Sequence, residues 1–316
     1  MLLYIIFIAM NTLLINMIIK RTIVVVLLLM SISTFGQQEI RLYDGAAPGS
    51  ENAENKEKAL HDANGQIQTI YGVVDPTITV YLPEKGKSKC TAVILCSGGG
   101  LTAHSWGDNV INMAEWLNKR GIVAIGLKYR TRNSDGPRPK FDPSKMLNVG
   151  ITDFDKLNKS NTNPNLTGDD DVNINNAIND ALRAMEIVKQ HANEWNIDTT
   201  KIGYLGFSAG GGIAIGASIR ADSRHQAAFL ATIFGPSLTD VVVPANAPKL
   251  FIASRSDHRN VAAGLLSLYL DWKKAGANAE LHLYDDGYGP FGTTDTGNTS
   301  GTWRESFYRW LTYNKF

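Results

Sequence analysis

The chain has 316 residues, 44% hydrophobic and 19% charged, with 29 glycines, 11 prolines and a formal charge of +1. That balance excludes a disordered or fibrous polypeptide and is enough to bury a substantial core within one domain. A near-neutral body without a basic cluster also argues against nucleic acid as a partner.

The first 36 residues stand apart. An apolar run from Met1 to Ile19 precedes Lys20-Arg21, a nine-residue and largely apolar stretch covers Thr22 to Met30, and small and polar residues lead to Gly36. Positive charge, short apolar run and small residues are the parts of a signal peptide in their usual order. This predicts cleavage after Gly36, a periplasmic or secreted protein, and a mature domain of residues 37–316. The apolar stretch upstream of Lys20 fits a translation start at Met17. The competing reading is a membrane anchor, since residues 1–19 are nearly long enough to span a bilayer. The short second run favours export, so no stable membrane insertion of the mature chain is expected. Loss of Lys20 and Arg21 would turn the formal charge from +1 to −1, with no field to attract anionic lipid.

Residues 37–64 are polar and predict an extended arm over the domain rather than part of its core. Thr77 to Pro83 alternates like a half-exposed strand, and Thr91 to Cys96 is a short apolar run suited to a buried parallel strand. Cys90 and Cys96 sit roughly 20 Å apart along that strand, too far for a disulfide. Val110, Met113, Ala114 and Leu117 fall at helical spacing before Gly121, and residues 122–130 form the next strand. From 131 to 171 the periodicity fails among Pro, Asn, Asp and Ser, which predicts a long insertion: a lid or binding loop, or an uninvolved one. An apolar stripe from Ile174 to Ala192 then marks a long helix. Strands at 201–207, 227–235, 247–254 and 279–284 alternate with helices at 208–220 and 261–276, and 303–311 closes the chain as a helix. Repeated strand-helix units predict a mostly parallel central sheet with helices on both faces.

The sharpest signal is Gly206-Phe207-Ser208-Ala209-Gly210, set between an apolar strand and an Ala/Gly-rich helix. That context makes Ser208 the nucleophile of an α/β-hydrolase turn; alone, the same string would be only a tight glycine turn with an incidental serine. The run Gly98-Gly99-Gly100 ends the strand from Thr91, so the amides of Gly99 and Gly100, with that of Ala209, are the expected oxyanion hole. The alternative is a flexible turn. Asp257, just beyond a strand and before a helix, follows the serine in the chain order expected for the acid; otherwise it caps that helix.

The base is harder to place. The loop after the last strand, Asp285 to Gly292, contains no histidine. His61, His191 and His225 have no catalytic context, and His282 alternates within a strand. His104, four residues past the glycine run, is the preferred candidate, with His258 beside Asp257 as the alternative and Tyr288 third. His104 also reads as an ordinary loop histidine.

These features together resemble the secreted carbohydrate-esterase branch of the α/β-hydrolases, the acetylxylan-esterase-like and feruloyl-esterase-like proteins. The resemblance rests on Ala47-Pro48-Gly49 after LYDG, the run 98–100 before AEWLNKRGI, Lys128-Tyr129-Arg130, Asp180-Ala181-Leu182-Arg183-Ala184, GFSAGG and AELHLY. It implies an α/β-hydrolase fold over roughly Leu42 to Leu311. It also implies a metal-free, cofactor-free serine esterase that removes acetyl or hydroxycinnamoyl groups from an acylated carbohydrate. By the same resemblance the nucleophile falls on Ser208 and the acid on Asp257. Two departures stand out: the family's histidine position falls on Gly289, and the proline before its glycine run is Ser97. A serine without a base acylates poorly. The second expectation is therefore a non-catalytic relative that binds glycans in the inherited cleft.

Overall fold

A computed structural model describes residues 38–132, 168–258, 261–287, 289 and 291–316, together with Met1. The expected signal segment, most of the 131–171 insertion, Tyr288 and Pro290 lie outside the described residues. Gln38–Phe316 forms one compact unit.

The chain has the α/β-hydrolase fold. Its main sheet runs, in spatial order, β1 (Gln38–Arg41), β4 (Thr77–Tyr81), β7 (Val123–Lys128), β5 (Ala92–Cys96), β8 (Ile202–Phe207), β9 (Phe229–Ile233), β10 (Lys249–Arg255) and β11 (Ala279–Tyr284). β1 and β4 pair antiparallel, as do β4 and β7, and every other pairing in this sheet is parallel. A smaller antiparallel sheet joins β2 (Lys58–His61), β3 (Ile67–Tyr71) and β6 (Ala103–His104).

The strands are apolar on both sides because helices cover both faces. Along β5, Ala92, Ile94 and Cys96 face one core and Val93 and Leu95 the other. The first core is closed by α2 (Gly168–Gln190), α3 (Ala209–Arg220) and α4 (Val261–Lys274), through Ile178, Ile213, Leu265 and Trp272. The second is closed by a π-helical turn (Gly107–Asn112), α1 (Met113–Asn118) and α5 (Trp303–Tyr313), through Val110, Leu117, Phe307 and Trp310. Each such fully buried side chain contributes about 1.5–3 kcal/mol. None of the described helices is long and apolar enough to cross a membrane.

Two expectations change. The stretch 37–64 is not merely an overlying arm: β1 extends the main sheet, β2 builds the small one, and Leu42 and Ala47 are each only 1% exposed. Hydrogen bonds fix it there, from Arg183 Nε to the Leu42 carbonyl (2.9 Å) and from Arg130 to the Pro48 carbonyl (2.6 Å). The long helix α2 ends at Gln190, and Ala192, Trp195 and Ile197 stay buried in the turns that follow. Cys90 and Cys96 are both free thiols.

Candidate active site

β8 delivers Ser208 to the C-terminal edge of the sheet, where open α/β folds bind their ligands. Ser208 has φ 51° and ψ −125°, a conformation an L-residue adopts only under strain. Three features hold it. Its N–H donates to the Ile233 carbonyl at the end of β9 (3.0 Å), and its carbonyl accepts from Gly211 N–H (2.9 Å) to start α3. A methyl group at Gly206 would collide with the Gly210 carbonyl, and one at Gly210 with the end of β5 at Cys96 and Ser97. The turn is therefore too tight for side chains two positions either side of the serine. Ser208 is half-buried, and its hydroxyl does not cap the helix it precedes. Strain of this kind, stabilised from several directions, clusters at functional sites.

The glycine run lies directly beside this turn. A methyl at Gly98 would come within 3.1 Å of Ser208 Cβ. Gly99 sits at φ 142° with no room for a side chain against Ala103, so glycine is required there. The Gly98 carbonyl accepts from Ser105 N–H and the Gly99 carbonyl from Thr102 and Ala103 N–H. In a trans peptide N–H and C=O point in opposite directions. With both carbonyls spent on residues 102–105, the N–H groups of Gly99 and Gly100 are turned away from that segment. Ala209 N–H, at the first position of α3, has no carbonyl a turn earlier to bond.

His104 is fully buried behind the run. Its Nδ1 lies 2.7 Å from Ser97 Oγ and its Nε2 lies 2.8 Å from the Tyr129 carbonyl. A carbonyl only accepts, so Nε2 carries the proton and Nδ1 accepts from the serine hydroxyl. The Tyr129 hydroxyl closes the ring by donating to the Ser97 carbonyl (2.7 Å). Burial lowers the His104 pKa to about 4, assisted by the Lys128 charge. Both ring nitrogens are thus engaged with groups other than Ser208.

His258 is placed differently. It is 9% exposed, and its Nδ1 is buried without a hydrogen-bond partner. Its ring centroid lies 6.0 Å from that of Phe234, the residue after the carbonyl that receives Ser208 N–H. Burial, and then the Arg255 charge, lowers its pKa to about 4. Asp257 beside it is exposed. Its carboxyl is raised above the usual range by partial desolvation, with the Asp285 and Asp286 charges adding to the effect. Asp286 is itself held by Arg255 (3.2 Å), Thr299 Oγ1 and Ser300 N–H. In the terminal loop, Gly289 is buried at φ 79°.

Ser208 thus stands beside the glycine run and opens the helix that begins at Ala209, while Asp257 and His258 follow β10, His258 near Phe234. Sequence reasoning missed Tyr129, which closes the ring behind the run, and the partners of Gly98. The Gly98 N–H donates to Asn109 Oδ1 (2.9 Å), and Asn109 Nδ2 donates to Asp108 Oδ2 (2.9 Å). Tyr129 stood in a motif of the resemblance but with no role assigned, and no pattern marked Asp108 or Asn109, because these roles depend on contacts made by the fold. Among the described residues, no three metal-ligating side chains cluster.

Residues 172–284 match the family model described as alpha/beta hydrolase fold. No curated protein matches the chain significantly. Among solved structures it is similar to an acetyl ester-xyloside bifunctional hydrolase from Caldicellulosiruptor lactoaceticus, with a TM-score of 0.59, 18% identity, and coverage of 89% of this chain and 97% of that one. It is also similar to a thermophilic esterase from Thermogutta terrifontis, with a TM-score of 0.54, 19% identity, and coverage of 81% and 91%. A carboxylesterase from Lactobacillus plantarum gives a TM-score of 0.53, 15% identity, and coverage of 82% and 96%. At these identities the likeness is one of fold.

Proposed function

We propose that the protein is a serine-dependent carboxylic-ester hydrolase that removes acyl groups, acetyl or hydroxycinnamoyl, from an acylated carbohydrate. The observation that carries this reading is the strained Ser208 turn with the glycine run packed against it. Ser208 Oγ attacks the acyl carbonyl while its proton passes to a neutral imidazole. The amides of Gly99, Gly100 and Ala209 hold the negative oxygen, the sugar alcohol leaves with the proton, and water then releases the acid. The base is His258 rather than His104, because of these two only His258 has an unengaged ring nitrogen. Asp257 is the accompanying acid. The carbohydrate part rests on the sequence resemblance and on the acetyl ester-xyloside activity named for a structural neighbour.

Release of acetate and ferulate from acylated xylo-oligosaccharides, by wild type and Ser208→Ala, tests this reading. Release that disappears in the variant supports it.

A second reading is favoured by Gly289, the position where the resemblance calls for histidine. In that case the fold binds glycans without cleaving them, and oligosaccharide binding by calorimetry with no acid released would select it. The periplasmic or secreted location is likewise a proposal, resting on Lys20-Arg21, the short apolar run and Gly36. An exported product whose intact mass begins near Gln37 supports it.

A further inference from the structure

The chain of hydrogen bonds that begins at Gly98 does not stop at Asn109. Asn109 is 5% exposed, and its carboxamide bridges Gly98 N–H to Asp108 Oδ2, both at 2.9 Å. The other oxygen, Asp108 Oδ1, accepts from Thr293 Oγ1 (2.6 Å) and Thr293 N–H (3.2 Å). Thr293 is 1% exposed and follows directly on the terminal loop, and the neighbouring Gly292 carbonyl accepts from Trp303 Nε1 (3.1 Å). Segments distant in sequence, at 98, 108–109, 292–293 and 303, thus form one largely buried line from the closing helix to the glycine run. Asp108 and Asn109 lie in the π-helical turn Gly107–Asn112, an irregularity frequent at functional sites.

We infer that Asn109 is a positioning residue for the oxyanion-binding amides, and that Thr293, acting through Asp108, fixes its orientation. A methyl at Gly98 would sit 3.1 Å from Ser208 Cβ and 3.3 Å from Asn109 Oδ1, so Gly98 is wedged between the serine and the carboxamide. By accepting the Gly98 N–H, Asn109 keeps that amide from the substrate and sets the direction from which the Gly99 peptide departs. Oxyanion stabilisation depends on donors standing in place before charge develops. A loop of three successive glycines does not hold such a geometry by itself. The inference rests on the esterase reading of Ser208.

The test combines amide hydrogen exchange across residues 97–101 with kcat and KM for p-nitrophenyl acetate. Wild type, Asn109→Ala, Thr293→Val and Thr293→Ser are compared. Asn109→Ala is expected to speed exchange in this segment about tenfold and lower kcat about 10- to 100-fold, with KM within about threefold, because the loss falls on the transition state. Thr293→Val should lower kcat about 3- to 10-fold in the same way. Thr293→Ser, which keeps the hydroxyl, should return it to within about twofold of wild type. If Asn109→Ala does not fold, the Thr293 pair decides. Unchanged kcat in a folded Asn109→Ala whose segment exchanges faster would overturn the proposal, as would a loss confined to KM or a Thr293→Ser no better than Thr293→Val. Failure of the esterase reading looks different: wild type neither turns over the ester nor reacts at Ser208 with a fluorophosphonate, and the positioning role falls with it.

Discussion

Ser97 Oγ and His104 Nδ1 lie 2.7 Å apart in the buried wall behind the glycine run. The serine stands where the resembled family carries proline, so its hydroxyl is what satisfies an imidazole that has no access to water. Ser97→Ala should therefore cost about 1–3 kcal/mol in urea unfolding, the penalty of an unpaired buried acceptor. The pH at which activity is lost on the acidic side should not move. A displaced acidic limb in His104→Gln would show instead that His104 titrates in the reaction.

Stability should fall as the medium is acidified from about pH 6.5 to pH 4. His104 and His258 both have folded pKa values lowered to about 4 by burial, against an unfolded value of about 6.5. Within that window the unfolded chain binds more protons than the native one, so stability rises with pH through it and levels off above. Each fully developed shift corresponds to about 3 kcal/mol. Denaturation curves at intervals of half a pH unit would show the slope, and His258→Phe should flatten part of it.

The same depression has a kinetic consequence. If His258 takes the Ser208 proton, it stays neutral to well below the usual histidine range, and kcat/KM should hold until about pH 5 before its acidic limb. His258→Ala should lower kcat about 10²- to 10⁴-fold. An acidic limb near 6.5 that survives in His258→Ala would assign the base to another group.

Arg130 and Asp180 form a buried ion pair, 4% and 0% exposed, with the guanidinium and backbone N–H of Arg130 and the Tyr43 hydroxyl all donating to one carboxylate. Asp180→Ala leaves Arg130 charged and unpaired, so a loss of about 3–5 kcal/mol is expected. In the folded fraction Ser208 should keep its reactivity, because the pair anchors the 43–50 segment rather than the serine turn. A loss below about 1 kcal/mol would contradict this role.

Much of the fold was legible because its strands are short apolar runs and its helices carry continuous stripes. The boundaries of β8, α3 and β11 fall within one residue of the readings from Gly206-Phe207-Ser208 and AELHLY. β1 and β2 escaped notice because both are four-residue, mostly exposed edge segments, with no hydrophobic alternation to reveal them. The motifs around Arg130 and Asp180 were noticed as a resemblance, but the ion pair between them spans fifty residues and no local pattern declares it. The histidines show the same limit. Four residues past a glycine run, His104 looks like a loop residue facing substrate, yet β6 pairs with β3 and draws it inward. What moves our proposal from His104 to His258 is that both His104 ring nitrogens are engaged while His258 Nδ1 is not, a difference set by the whole fold.

Reactivity of Ser208 as the nucleophile is what the proposed hydrolysis depends on most. The most direct measurement is intact and peptide mass spectrometry after exposure of the protein to a fluorophosphonate, with acetyl-ester hydrolysis followed in parallel. The expected result is one adduct per chain, located on Ser208, with hydrolysis lost in proportion and neither adduct nor turnover in a folded Ser208→Ala. Turnover that persists in Ser208→Ala, or wild-type protein that takes no adduct and hydrolyses no ester, would contradict it.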